Sequence, residues 1–272
     1  MNTAKTENLP GDMTQIIYGG TRVKIRIPES CRTKLPRNTD CPFCTKEQAE
    51  IFLEGAPKGW KLLPNPYTPH KLHRLIIPDR CWETGKLQSL GGLDEICKAL
   101  KIAFLASRKD NAEMAVFIHV GYSAGQNLGH AHWHLMEVRV KKPFALIKLS
   151  RNLLIDEKSK NLETFAMGAH AGECLIIPKN NNLNFGEIIE EIAAGIEWIV
   201  DRGNNKFRNP KNKQPPEFLV AVRISANNCL RYADYCPILS SWGATEIVFA
   251  PLEGGPITLP WPHETTARFL RE

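Results

Sequence analysis

The chain has 272 residues, 43% of them hydrophobic and 24% charged, with a formal net charge of +6. That length buries a large core, as one large domain or two small ones, and the composition is that of an ordinary globular protein. The positive excess suits anionic substrates, but it is spread along the chain without a block of like charge, which argues against a stable nucleic-acid complex.

Residues 1–12 are polar, lack the apolar segment of a signal peptide, and read as a loose tail. No apolar run reaches membrane-spanning length. The expected setting is the cytoplasm, where the eight cysteines are thiols or metal ligands rather than disulfides. Ile16–Tyr18 and Val23–Ile27 read as a hairpin around Gly19-Gly20. A stretch punctuated by Pro and Arg, Pro28 to Asp40, leads to Cys41-Pro42-Phe43-Cys44. Trp60–Leu63 is a short strand ending at Pro64-Asn65-Pro66-Tyr67, and His73–Pro78 is another, closed by its proline. Leu93–Leu105 has the apolar spacing of an amphipathic helix. Ala115–Val120 is β-branched and partly alternating, as a strand should be.

A short loop then carries Ser123, Ala124, Gly125 and Gln126, and three of the eight histidines follow at His130, His132 and His134. In a strand, residues two apart share a face, so the three imidazoles would line one side, with Ala131 and Trp133 on the other. Such a row is costly for a core and suited to metal binding or phosphate chemistry. His119 and His170, standing alone, read as satisfied structural residues.

The second half repeats this order. Cys174–Pro178 echoes Arg74–Pro78, the run Phe185–Val200 echoes the first helix, and Phe218–Ile224 echoes the strand at 115–120. Trp242–Ala250 is expected in the place of the histidine strand, and 203–217 as an exposed basic connector. The expected fold is therefore α+β: a duplicated antiparallel sheet with helices, whose second copy lacks the histidine motif. The expected division is a tail over 1–12, a catalytic unit with a metal site over 13–145, and a degenerate second repeat over 146–272.

Two chemistries fit the histidines. As a catalytic group, a neutral imidazole attacks phosphorus, while backbone N–H groups and the Gln126 amide stabilise the oxygens, and Gly125 lets the loop approach the phosphate closely. As ligands, they join Cys41 and Cys44, whose spacing is half of a zinc site, with Cys81 and His130 as the best remaining ligands and His70 or His73 as substitutes for Cys81. A redox role for the Cys-Pro-Phe-Cys motif is the rival reading, but it wants a βαβ context that is not evident here.

Ala-Gly-Gln-x-x-x-His-x-His-x-His, spanning Ala124 to His134, resembles the signature of the histidine-triad (HIT) superfamily. With Cys41-Pro-Phe-Cys44 upstream and a duplicated unit, the chain is similar to the galactose-1-phosphate uridylyltransferase branch, which includes the nucleotide phosphorylases. The resemblance implies that His132 is the nucleophile that takes the nucleotidyl group, that Gln126 contacts the transferred phosphate, and that His134 polarises the phosphate or leaving group. It implies zinc at Cys41, Cys44 and His130; Cys81 stands where many members place a histidine, so the expected site is Cys3His, completed by Cys81. It places Asn65, and with it the loop residues Ser123 and Gly125, against the nucleotide substrate. The implied partner is a nucleotide or nucleotide sugar; related transferases are commonly dimers, so a homodimer is an open expectation. Two positions depart from the branch: Ala131 replaces its proline, and His134 replaces its glutamine. The run His-x-His-x-His is more typical of the hydrolase branches, which leaves water, phosphate and sugar phosphate open as acceptors. A zinc-stabilised nucleotide-binding protein without turnover is the third alternative. Arg231, Tyr232 and Tyr235 are candidate substrate contacts in a loop, and His263 is expected at the surface.

Overall fold

The computed structural model describes residues 5–9, 13–18, 21–26, 41–45, 48–65, 72–78, 90–121, 124, 126, 130–138, 151–156, 158–166, 172–209, 213–239 and 263–271. The hairpin read around Gly19-Gly20 is present as β2 (Met13–Tyr18) and β3 (Thr21–Arg26), paired from Tyr18↔Thr21 outward. Residues 5–9, expected within a loose tail, instead form β1 (Lys5–Leu9), which completes a sheet of three strands in the order β1-β2-β3.

The main sheet has nine strands. Its first four are β4 (Trp60–Pro64), β5 (His73–Pro78), β6 (Met114–Val120) and β7 (Trp133–Glu137). The others are β8 (Leu154–Asp156), β9 (Leu162–Ala166), β10 (Cys174–Pro178), β11 (Glu217–Ile224) and β12 (Leu230–Ile238). All neighbours are antiparallel, in the order β4-β5-β7-β6-β11-β12-β10-β9-β8. A four-residue turn of helix, α1 (Pro42–Thr45), carries the Cys-x-x-Cys motif. Helices α2 (Leu93–Asp110) and α3 (Ile189–Lys206) connect β5 to β6 and β10 to β11, and α4 (His263–Arg271) follows β12. Among the described residues, no helix is long and apolar enough to cross a membrane.

The strands alternate between two environments, as their period of two requires. Ile76, Val116, Ile118, Trp133, Leu135, Ile176, Val220 and Val222 are buried in one apolar cluster with Ile96, Leu100 and Ile102 of α2 and Ile192, Ile196 and Ile199 of α3. This is the main core, and Trp133, fully buried between two histidines of the motif, anchors that segment in it. Truncating a buried Trp of this kind typically costs about 3–5 kcal/mol. The helix pair is also tied end to side: Glu197 of α3 accepts the Leu93 backbone N–H at 2.9 Å, capping an α2 N-terminus that has no side-chain cap of its own. Asn111 ends α2 in the left-handed conformation (φ 48°).

The opposite sheet face carries Phe117, Leu219, Ala221 and Cys236, and, farther along, Phe165, Leu175, Ile177 and Tyr232. His134 lies on this face, stacked on Phe117 at 4.8 Å.

The two halves of the sheet have the same internal order. The first runs β4-β5-β7-β6; the second, read inward from β9, runs β9-β10-β12-β11; they meet where β6 pairs with β11. Registers correspond as well. His134 pairs with Leu75 and Phe117, and Asp234 pairs with Leu175 and Ala221. In that mirrored order β12 takes the position that β7 holds in the first half; Trp242–Ala250, expected in the place of the histidine strand, lies outside the described residues. Leu230–Ile238 does not read as an apolar strand because it carries Arg231 beside the buried Tyr232 and Asp234.

Candidate active site and metal centre

β6 ends at Gly121, whose backbone has φ +101°, and a Cβ there would lie 2.3 Å from Glu217. Only glycine turns the chain there without strain or overlap. The loop that follows is closed by Gln126, whose N–H donates to the Gly121 carbonyl (3.0 Å) and whose Oε1 accepts the Gly121 N–H (2.9 Å). His119 donates from Nδ1 to the carbonyl of Ala124, so a second strut holds the same turn. Gln126 therefore stands at the loop's base with its side-chain oxygen already engaged. Ser123 and Gly125 lie outside the described residues.

Only His134 of the three motif histidines belongs to β7; His130 and His132 lie in the segment before it. The reason is local: β6 turns away at Gly121, and the β6–β7 register ends at Phe117↔His134. His132 and His134 nevertheless sit close together, with ring centroids 5.0 Å apart.

His132 Nδ1 lies 2.8 Å from the His130 carbonyl oxygen. A carbonyl only accepts, so the proton is on Nδ1 and the Nε2 lone pair is free. Burial pushes the His132 pKa down to about 4, outweighing the opposing effect of that hydrogen bond. His132 is thus a neutral imidazole with one nitrogen available, which is what attack on phosphorus requires.

His134 Nδ1 lies 3.0 Å from His73 Nε2, and Asn65 Nδ2 lies 3.3 Å from the same His73 nitrogen. Burial, then the charges of His132 and His119, hold His134 well below the usual imidazole range. Asn65 and His134 are therefore joined through His73, a residue the sequence offered only as a substitute metal ligand. The structure turns His73 away from that role and into the histidine cluster. His119, read from the sequence as a structural histidine, is also in the cluster, with its ring edge-to-face with His134 at 5.6 Å. The signal for both was strand alternation: His119 lies two residues beyond Phe117, and His73 two before Leu75, on the same face.

A different group forms around His130. Its Nδ1 lies 3.3 Å from Cys41 Sγ and 3.6 Å from Cys44 Sγ, and its Nε2–H donates to the Pro78 carbonyl at 2.9 Å. The three ligand atoms lie within 4.8 Å of one another, so the group is able to hold a metal ion. Ligands about 2.0–2.3 Å from a tetrahedral ion stand about 3.5 Å apart, so the donor set fits. The Pro78 carbonyl fixes the tautomer, leaving Nδ1 unprotonated toward the sulfurs, as expected of a metal-ligating imidazole. Cys81 and His70, the expected completions of this set, lie outside the described residues. Phe43, between the two cysteines, packs on His130 (5.4 Å) and on His132 (5.7 Å), so the metal group and the histidine cluster share a wall.

In the second half, Tyr232 and Tyr235 are strand residues, both fully buried, rather than members of a loop. Tyr235 faces the helices, where its hydroxyl leaves no room for a Cβ at Gly203, so it is not at the histidine cluster. Arg231 is on the same strand, and the side chain of His263 is outside the description. Asp234, in the place matching His134, is 1% exposed and lies beside Glu173, also 1% exposed. Asp234 meets no N–H or O–H donor, so its contact with Glu173 needs a shared proton. Burial, then the charge of Glu173, raises its pKa well above the usual carboxylate range.

An acid that stays protonated in the fold stabilises it fully at low pH and loses that contribution as pH rises from the unfolded value toward the raised folded value. Asn mimics the neutral carboxyl. The Tm advantage of Asp234→Asn over the parent should therefore widen as pH rises above the ordinary carboxylate range. A pH-independent difference in thermal melts would argue against the shared proton.

No family model matches the sequence, and no curated protein matches it. Solved structures do. An ADP-glucose phosphorylase from Arabidopsis thaliana, with bound ADP-glucose, aligns over 100% of this chain and 99% of its own, with a TM-score of 0.61 and 16% identity. A GalT-like protein from Arabidopsis thaliana aligns over 85% of this chain and 91% of its own (TM-score 0.59, 18% identity). A yeast Ap4A phosphorylase aligns over 86% and 73% (TM-score 0.53, 13% identity). The chain has the fold of these solved structures. Within that fold, the cluster of His73, His119, His132 and His134 lies on the sheet face away from the helices, beside the Cys41–Cys44–His130 group.

Proposed function

We propose that the protein is a nucleotidyltransferase acting on the α-phosphate of a nucleotide sugar or dinucleotide through a covalent nucleotidyl-His132. The observation that carries this is the His132 imidazole: neutral, with Nδ1–H held by the His130 carbonyl and Nε2 free, beside His134. The names of the structural neighbours, an ADP-glucose phosphorylase and an Ap4A phosphorylase, support the substrate class.

In the first step, His132 Nε2 attacks the α-phosphorus, a P–N bond forms, and the bond to the leaving phosphate or phosphosugar breaks. In the second, an acceptor oxygen takes the nucleotidyl group and the electron pair returns to Nε2. Gln126 and the loop with Ser123 and Gly125 sit against the phosphate, and Asn65 acts on His134 through His73. Cys41, Cys44 and His130, with Cys81 as the fourth ligand, hold zinc. When bound, zinc supplies structural cross-linking rather than reaction chemistry. It fixes His130, whose carbonyl orients the nucleophile. We read the mirrored strand orders and registers as a duplication, in which residues 13–145 hold the active site and 146–272 are a degenerate copy.

The test is intact-protein mass after incubation with a panel of nucleotide sugars and dinucleoside polyphosphates. The expected result is a gain of one nucleoside monophosphate, labile in acid, on His132. A chain that turns substrate over and never carries the adduct overturns the covalent reading.

A further inference from the structure

His119 repeats the arrangement that makes His132 a base. Each donates from Nδ1 to a backbone carbonyl, Ala124 for His119 and His130 for His132, and each therefore presents an Nε2 lone pair. Neither Nε2 has a protein partner among the described residues. The other imidazoles differ: His130 is reversed, with Nε2–H on the Pro78 carbonyl, and His134 and His73 are spent on each other. A nucleotidyl transfer through one histidine needs one nucleophile, and His132 fills that role. A second imidazole with a free nitrogen is equipped to take a proton, and the carbonyl on its far nitrogen opposes the burial that lowers its pKa. His119 is half-buried, edge-to-face with His134, and turned 85° to Phe117, the ring on which His134 stacks.

Resting on the nucleotidyl-His132 reading, we propose that His119 is the base for an acceptor that arrives with an O–H bond, so that this site transfers the nucleotide to water or to an alcohol hydroxyl. In that step the acceptor oxygen bonds to phosphorus, and the acceptor proton passes to His119 Nε2. The P–N bond breaks and its electron pair returns to His132. The positive charge of the nucleotidyl-imidazolium leaves as His119-H⁺, so atoms and charge balance. An ionised phosphate oxygen needs no such base, and this separates the two classes of acceptor.

The test uses Asn at position 119. Its amide N–H stands where His119 Nδ1–H does and retains the strut to Ala124, while the distal nitrogen is gone. The nucleotidyl-enzyme is formed from a dinucleoside polyphosphate or a nucleotide sugar, isolated, and partitioned between water, glycerol and inorganic phosphate. The expected result for His119→Asn is a fall of about 100-fold in the ratio of transfer to O–H acceptors over transfer to phosphate. The glycerol and water products tell which hydroxyl is used. A role confined to holding the loop slows all acceptors together and leaves the ratio unchanged, and that result overturns the proposal. A measurement on the unaltered protein backs the variant: transfer to water should be slower in D₂O and transfer to phosphate should not, and equal effects overturn it as well. If the unaltered protein forms no adduct at all, the covalent reading fails and this one with it; an adduct with an unchanged ratio fails this one alone.

Discussion

His132→Gly is expected to abolish the nucleotidyl adduct and to lower turnover by about 10⁴-fold or more, because the nitrogen that attacks phosphorus is then missing. Glycine is chosen over a polar substitute because it adds no new nucleophile. Its fold should survive: the His132 side chain bonds to its own segment, and the neighbouring anchor, Trp133, points into the core on the other face. The checks are intact mass, for the adduct, and steady-state rates under saturating nucleotide. A variant that keeps full turnover would remove His132 from the chemistry, and the reaction would then have to run by direct attack of the acceptor. Because effects of groups acting as a unit do not add, the double variant with His119 should lose little beyond the single one.

Cys41→Ser should have the largest effect on stability. Sulfur Sγ of Cys41 is the nearer of the two thiols to His130 Nδ1, at 3.3 Å against 3.6 Å for Cys44. If metal at about 1,000 times its dissociation constant stabilises the fold by about 4 kcal/mol, losing it lowers Tm by about 8 °C in a chain of this size. Metal content by elemental analysis should fall from one zinc per chain to a small fraction, and a chelator should have the same effect on the parent and none on the variant. An unchanged Tm with an unchanged metal content would remove Cys41 from the site. Activity should fall too, since Phe43 packs on His132 as well as on His130.

Much of the fold was legible because its strands announce themselves. His73–Pro78 is bounded by its proline, and β6 and β11 are short β-branched runs. The helix at 93 ran five residues past its expected end, to Asp110, because its last turn is polar and the period weakens there. The site was legible where residues are close in sequence, at His130, His132, His134 and Gln126. His73 and His119 escaped because a lone histidine in a strand looks the same whether it faces a core or a cluster; only the register Leu75↔His134↔Phe117 brings them together. Tyr235 failed in the opposite sense. As a polar-tipped aromatic in a segment read as loop, it invited a substrate role, whereas strand pairing turns it toward α3.

The seam between β6 and β11 has a further bearing on how this chain must be handled. β6 is Met-Ala-Val-Phe-Ile-His-Val, seven residues with no proline and no formal charge. In the whole protein its outer hydrogen bonds are taken by β11 over the full strand, from Val120↔Phe218 to Met114↔Ile224. A fragment ending near residue 150 would keep every histidine of the cluster and expose that strand as a raw sheet edge, the composition and geometry that recruit another chain. The second half therefore works as a shield against aggregation whatever its chemistry, and the first half is not a separable catalytic module.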